Sequence, residues 1–168
     1  MTSFNDLAAA RYSVRSFKAQ SVEKEKEALI IEAGRAAPTA KNLQPQRIKV
    51  ITGDDLLKVD ACTPCRFGAP LVFMVCYDTN VCWVRSFDKA KSGQVDASIV
   101  TTHMLFAAQD LGLGTVWVMH FDPAKAIEEF KLPENIIPVA LLPVGYISDE
   151  AKPGPMHEVR QGLDITLF

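Results

Sequence analysis

The chain has 168 residues, a length that predicts a single domain over 1–168. Of these residues 48% are hydrophobic and 23% are charged, and the formal net charge is −2. This composition excludes disorder over most of the chain, because the apolar residues can offset the entropy that is lost on ordering. It also argues against nucleic-acid binding, which needs clustered lysines and arginines, and against a membrane helix, since no apolar run reaches about 18 residues.

The first half of the chain predicts two helices and then two strands. The first helix is expected over residues 2–10 with Ser3 as its N-cap. Ser21 is the predicted N-cap of the second helix, which Pro38 stops. The two strands, rich in β-branched and apolar residues, are predicted over 47–52 and 70–77.

The second half predicts a helix, a strand, a helix and a strand, over residues 94–111, 115–119, 123–130 and 136–146. Gly112 ends the first of these helices, and Asp122 caps the second, with Pro123 at its first position. Pro138 and Pro143 fall inside the last strand, so its backbone pairing is expected to be incomplete. Because helices and strands do not alternate strictly, this order favours an α+β fold over a doubly wound parallel sheet.

The end of the chain predicts a C-terminal arm over residues 152–168. Its first part is rich in proline and glycine and cannot form regular structure. Its last part alternates apolar and polar residues, which predicts a strand that needs an external sheet edge. An arm of this length can reach a second subunit, so we expect it to be exchanged in a dimer. The apolar positions of the alternation are Leu163, Ile165, Leu167 and Phe168.

Two segments carry side chains suited to a phosphorylated heteroaromatic ligand. Arg11, Ser13 and Arg15 can converge on one phosphate, since arginine offers permanently charged bidentate donors. Residues 37–45 follow the predicted helix and expose backbone groups together with the amides of Asn42 and Gln44, which can donate and accept at the edge of a flat ring. For each segment alone, the alternative is an ordinary solvated surface or turn.

Taken together, the motifs resemble the FMN-dependent nitroreductase family nearly end to end. They are Arg-Tyr-Ser-Val-Arg-Ser-Phe at 11–17, Ala-Pro-Thr-Ala-Lys-Asn-Leu-Gln-Pro at 37–45, Leu-Gly-Leu-Gly-Thr-Val-Trp at 111–117 and Pro-Val-Ala-Leu-Leu-Pro-Val-Gly-Tyr at 138–146. The resemblance implies a central mixed, mostly antiparallel sheet flanked by helices, and a homodimer with two FMN sites at its interface. It also implies a ping-pong reaction, in which NADH or NADPH reduces FMN and FMN reduces a small acceptor.

The resemblance further implies which residues bind FMN. The phosphate and ribityl chain would be held by Arg11, Tyr12, Ser13, Arg15 and Arg160. The ring would be reached from the second subunit by Pro38, Thr39, Ala40 and Asn42. Met119 and His120 would lie near N5 through their backbone, and a proton-donating role for the His120 side chain stays open. No catalytic side chain and no metal ligand is assigned. His157 is interpreted as a solvated loop residue, with a phosphate contact as the alternative.

The expected function is an FMN-dependent NAD(P)H oxidoreductase that reduces nitroaromatics, quinones or activated alkenes. Two alternatives stay open: a non-catalytic FMN sensor or storage module, and a metal or redox protein built on Cys62 and Cys65, which form a Cys-x-x-Cys pair.

Four cysteines in a chain of this size do not make a disulfide scaffold, and the first residues do not resemble a signal peptide, so a cytoplasmic location is expected. Trp83 and Phe87 could line the substrate site in place of the helical insertion that larger family members carry; the alternative is a helix-capping loop whose aromatic side chains lie in the core.

Overall fold

The computed structural model describes residues 3–167 and has α+β architecture. Thr2 and Phe168, which the predicted first helix and the predicted arm include, lie outside the described residues. The helices are α1 (Phe4–Ala10), α2 (Lys24–Arg35), α3 (Leu56–Cys62), α4 (Gly93–Asp110), α5 (Pro123–Phe130) and α6 (Leu163–Thr166). The strands are β1 (Gln46–Thr52), β2 (Leu71–Asp78), β3 (Gly114–Thr115) and β4 (Ile136–Gly145). None of the helices within residues 3–167 is long and apolar enough to cross a membrane.

The four strands form one sheet in the order β1-β2-β4-β3, and every neighbouring pair is antiparallel. Phe73 of β2 lies opposite Val50 of β1 and opposite Leu142 of β4, which fixes the register. The one parallel contact among the described residues is a bridge between Ser13 and Thr115. The prediction of a mostly antiparallel central sheet flanked by helices is therefore confirmed.

Strand β2 is an almost unbroken apolar run because helices cover both faces of the sheet. Alternate side chains of a strand point to opposite faces. Leu71, Phe73 and Val75 pack into one core with residues of α2 and α4, whereas Val72, Met74 and Cys76 pack into a second core with α3 and α5. Helix α4 is closely fitted to the first face: a Cβ added at Gly93 would lie 2.0 Å from a ring atom of Tyr77.

The local signals that begin and end helices are largely confirmed. The Ser3 hydroxyl accepts a hydrogen bond from the Asp6 amide, and the Asp122 carboxylate accepts two from the first turn of α5. Gly112 follows α4 with a φ of +76°, the left-handed conformation that ends a helix. Helix α2, however, begins after Glu23 and not after Ser21. Glu23, the residue before the helix, is extended, and its carboxylate accepts a long-range hydrogen bond from the Tyr146 hydroxyl.

The prolines of β4 interrupt its pairing as predicted. Val116 donates to the Pro143 carbonyl, but Pro143 has no N–H to return, so β3 ends at Thr115 and does not reach Met119. Pairing resumes only at Val118, which exchanges two hydrogen bonds with Leu141. The predicted strand over 115–119 is therefore a two-residue strand followed by a single bridge.

Two elements correct the prediction. Helix α3 was not predicted, because a seven-residue helix carries only the weak signal of Val59 and Cys62 at a spacing of three. The arm is not a strand: its end forms the helical turn α6, with Leu163, Ile165 and Leu167 exposed. Within one chain no sheet edge pairs with these residues, so local hydrogen bonds, such as Leu167 to Leu163, satisfy the backbone instead.

Candidate functional site

A cavity of about 400 Å³ brings together five of the predicted cofactor-binding residues. One wall comes from the segment after α1, and the other comes from the C-terminal arm of the same chain. We call it the arginine cavity. Its lining residues are Arg11, Tyr12, Ser13, Arg15, Gly154, Pro155, Met156, His157 and Arg160.

Burial of one side chain positions the first wall. Val14 is fully buried, and its amide donates to the Thr115 carbonyl at 2.9 Å, so the segment runs beside β3. In this extended segment the neighbours of Val14 are turned away from the core, towards the cavity. The close approach depends on Gly114, because a Cβ there would lie 2.7 Å from the Val14 side chain.

The electrostatics of the arginine cavity suit an anion. Three guanidinium groups line it, and no carboxylate does. Arg11 and Arg15 come from one wall and Arg160 from the other, so positive charge faces the space from two sides. Guanidinium groups bind phosphate oxygens through paired N–H donors, and a serine hydroxyl such as that of Ser13 adds a short neutral donor.

The segment predicted to reach the ring lies on a different cavity. Thr39 begins a tight turn in which Lys41 and Asn42 have φ values of 51° and 55°, and its hydroxyl accepts from the Gln44 amide. The Ala40 amide donates to the Asp96 carboxylate at 2.9 Å. Ala40 lines a space of about 410 Å³ beside Trp83, Val95 and Ile99, and no residue of 38–42 lines the arginine cavity.

Sequence reasoning missed the residue that holds this turn. Asp96 is 2% exposed, and its second carboxylate oxygen accepts from the Ser92 hydroxyl at 2.7 Å. The Ser92 oxygen in turn accepts from the Trp83 amide. A lone carboxylate in the first turn of an apolar helix gives no sign of a partner in a distant turn, so the sequence carried no signal for this contact.

Met119 and His120 form an exposed turn after β3. They follow Thr115, the residue that the first wall of the arginine cavity pairs with, by four and five positions. The turn is held by the end of α3 and the residue after it: the Thr63 hydroxyl donates to the His120 carbonyl at 2.5 Å, and the Asp122 amide donates to the Cys62 carbonyl. Met119 and His120 line two further cavities and not the arginine cavity.

The Cys-x-x-Cys pair has structural contacts in this arrangement. Cys62 and Cys65 are free thiols, and the Cys62 thiol donates to the Lys58 carbonyl. Burial raises the pKa of the Cys62 thiol, and the nearby carboxylates of Glu129 and Asp122 raise it further, which disfavours the reactive thiolate. Within residues 3–167, no group of three or more histidine, cysteine or acidic side chains is placed to hold a metal ion.

A short hairpin occupies the connection between β2 and α4. At its base the Ser92 amide donates to the Trp83 carbonyl and the Trp83 amide donates to the Ser92 hydroxyl, and near its tip the Arg85 amide donates to the Ala90 carbonyl. Phe87 at the tip is 95% exposed. The two aromatic residues are therefore not a pair: Trp83 lines the cavity beside Ala40, while Phe87 projects away from the hairpin.

The fold agrees with the comparisons to known proteins. The sequence model of the Nitroreductase family matches residues 8–64 and 66–146, and the chain belongs to this family. A nitroreductase family protein from Clostridium difficile 630 superposes with a TM-score of 0.94 at 38% identity, over 99% of this chain and 98% of that one. A structure from Desulfovibrio desulfuricans, determined in complex with FMN, superposes with a TM-score of 0.85 at 26% identity, over 99% and 96% of the two chains.

A further relative carries a more specific name. The Bacillus subtilis (strain 168) protein FMN reductase (NAD(P)H) is 28% identical over 164 residues, which cover 85% of this chain and 65% of the relative.

Proposed function

We propose that this protein is an FMN-dependent NAD(P)H oxidoreductase that reduces small electron-poor acceptors such as nitroaromatics, quinones or activated alkenes. The arginine cavity carries the proposal, because three guanidinium groups and a serine hydroxyl face one space with no carboxylate among its lining residues. A flavin phosphate is an anion of matching chemistry. The FMN complex of the Desulfovibrio desulfuricans protein and the name of the Bacillus subtilis FMN reductase support the same cofactor.

In this proposal Arg11, Arg15 and Arg160 bind the FMN phosphate, and Ser13 adds a neutral donor. Tyr12 lies between these residues on the cavity wall. A guanidinium carries a permanent positive charge, so these arginines need no neighbouring carboxylate to be charged. Their permanent charge offsets that of the phosphate, which lets the cavity retain an anion without a proton transfer.

The ring is proposed to bind between two chains. Pro38, Thr39, Ala40 and Asn42 would contact it from the second subunit, while Met119 and His120 would present backbone groups near N5. Support comes from the separation within one chain: Ala40, Met119 and the arginines line different cavities. A homodimer is therefore the proposed assembly, in which residues 154–157 and Arg160 of each arm line the cavity of their own chain and the residues after Arg160 are exchanged with the partner.

Bound FMN supplies the redox chemistry, the exchange of hydride between NADH or NADPH and the acceptor. The protein itself has to bind and orient FMN and the two substrates, and this requires few acid–base side chains. His120 fits a role in binding and orientation through its backbone, because the Thr63 hydroxyl donates to its carbonyl and so holds the backbone at this position. We further propose that the enzyme works in the reducing cytoplasm, where its four free cysteines stay reduced.

Two measurements test the proposal. The purified protein should show the visible absorption of bound flavin, and it should oxidise NADH or NADPH when an acceptor from a panel of nitroaromatics, quinones and activated alkenes is added. Tight FMN without any acceleration of NAD(P)H oxidation would favour a sensor or storage module. A colourless protein that does not take up added FMN would refute the proposal.

A further inference from the structure

His157 is positioned by two contacts inside the arginine cavity. It is half-buried, and its ring meets the Tyr12 ring edge to face, with 6.0 Å between centroids. Its backbone carbonyl accepts from the Arg160 guanidinium, which ties the Arg160 side chain to the backbone of the arm at His157. His157 thus lies in a loop, as predicted, but its side chain is partly covered and it lines the arginine cavity.

The arm lies against the first wall of the cavity at more than one point. A Cβ at Gly154 would lie 3.8 Å from the Arg15 guanidinium, so the backbone of the arm passes close to that side chain. The His157 amide donates to the Gly154 carbonyl, which makes a tight turn at this place. The turn places His157 and Arg160 among the residues that line the cavity together with Arg11 and Ser13.

We propose that His157 is a further phosphate-binding side chain and that it helps the protein select FMN over flavin without the phosphate. This inference rests on the proposed function. A phosphate monoester has three terminal oxygens, and donors on two sides satisfy them better than donors on one. An imidazole carries at least one N–H donor in either protonation state, so His157 can donate whether or not it is charged.

The test separates a hydrogen-bonding role from a packing role. His157→Phe keeps a ring to pack against Tyr12 but removes both nitrogens, whereas His157→Gln keeps an N–H donor and loses the ring. Dissociation constants for FMN and riboflavin would be measured by flavin fluorescence titration for both variants. Glu158→Gln is the matched control, since it changes the neighbouring residue of the same arm, which does not line the cavity.

We expect His157→Phe to weaken FMN binding by about tenfold, the lower end for a hydrogen bond to a charged group, and to leave riboflavin binding unchanged. His157→Gln should recover part of the loss, and Glu158→Gln should match the wild type. The inference is overturned if His157→Phe binds FMN as the wild type does, or if both variants lose FMN and riboflavin equally. A wild-type protein that binds neither flavin would instead refute the proposed function itself.

Discussion

The backbone amide of Ala40 donates to the buried carboxylate of Asp96 across 56 residues of sequence, at 2.9 Å. Through its other oxygen the same carboxylate accepts from Ser92, at the base of the hairpin. One side chain of α4 therefore holds both the turn that is proposed to contact the flavin ring and the hairpin beside it. A buried carboxylate is retained only when donors satisfy it, and here a backbone amide and a hydroxyl do so.

Replacement of Asp96 by alanine should leave the Ala40 amide and the Ser92 hydroxyl without their acceptor. We expect a loss of about 1–3 kcal/mol in the free energy of unfolding, measured by urea denaturation, because these groups stay partly buried. Asp96→Asn should lose less, since its carbonyl oxygen can still accept from Ala40. Asp110→Ala, at the exposed end of the same helix, is the control. Equal stability of Asp96→Ala and wild type would contradict the role assigned to Asp96.

Arg11→Ala should weaken FMN binding by about 1.5–3 kcal/mol, the range for hydrogen bonds to charged groups. The loss should be confined to ligands that carry the phosphate, so riboflavin affinity should change little. Arg35→Ala, on α2 and outside the arginine cavity, serves as the control. Titration of the apoprotein gives the dissociation constants, and a change of less than threefold for FMN would argue against a phosphate contact at Arg11.

The Cys62→Ser/Cys65→Ser double variant should keep most of the NAD(P)H-oxidising activity. In the proposed reaction electrons pass through flavin, and a serine at 62 can make the same bond to the Lys58 carbonyl that the thiol makes. Thr63→Val is the informative contrast, because it removes the hydrogen bond to His120 and should lower turnover. Loss of turnover in the double variant with FMN still bound would favour a dithiol reaction instead.

Gly114→Ala should destabilise the protein by about 1–3 kcal/mol, the usual cost of overpacking a core. The added methyl group would lie 2.7 Å from Val14 and 2.8 Å from Ile147, so the segment that carries Arg11 and Arg15 must shift. FMN affinity should fall together with stability. Adding Val14→Ala should cost less in the Gly114→Ala background than in the wild type, which a double-mutant cycle measures. Purely additive effects would show that the two residues do not compete for space.

Deletion of residues 158–168 should lower both dimer affinity and FMN affinity. The arm supplies Arg160 to the cavity, and its apolar side chains Leu163, Ile165 and Leu167 have little cover within the chain. Sedimentation of the full-length and truncated proteins, each with and without FMN, is the measurement. The prediction fails if the full-length protein is monomeric at micromolar concentration, or if the truncated protein keeps both dimer and flavin.

The parts of the fold that sequence could predict are those set by neighbours along the chain. Asp122 and Pro123 specify the start of α5 by themselves, and Gly112 specifies the end of α4. Helix α2 starts two residues later than the local pattern indicates, and the residue before it, Glu23, contacts Tyr146, which is distant in sequence. The arm was predicted as a strand because its side chains alternate between apolar and polar. This alternation does not show which backbone groups the arm will pair with, and within one chain they pair locally in α6.

The same division holds for the candidate site. The motif at 11–15 and the late Arg160 could be predicted to share a phosphate, and the structure does bring them to one cavity. Asp96 and Thr63 could not be found, because each acts through a hydrogen bond to the backbone of a residue more than 50 positions away. Such bonds need only a carboxylate or a hydroxyl, and these side chains are common at positions where they bind nothing.

The separation of Ala40 from the arginine cavity within one chain has a consequence for how the cofactor is retained. In the proposed dimer each flavin is shared by two chains, so dissociation of the subunits and loss of FMN form one linked equilibrium. Dilution of the protein then releases FMN without any competing ligand, and excess FMN reverses the dissociation. The cofactor content of a preparation is thus governed by the protein concentration at which it is handled.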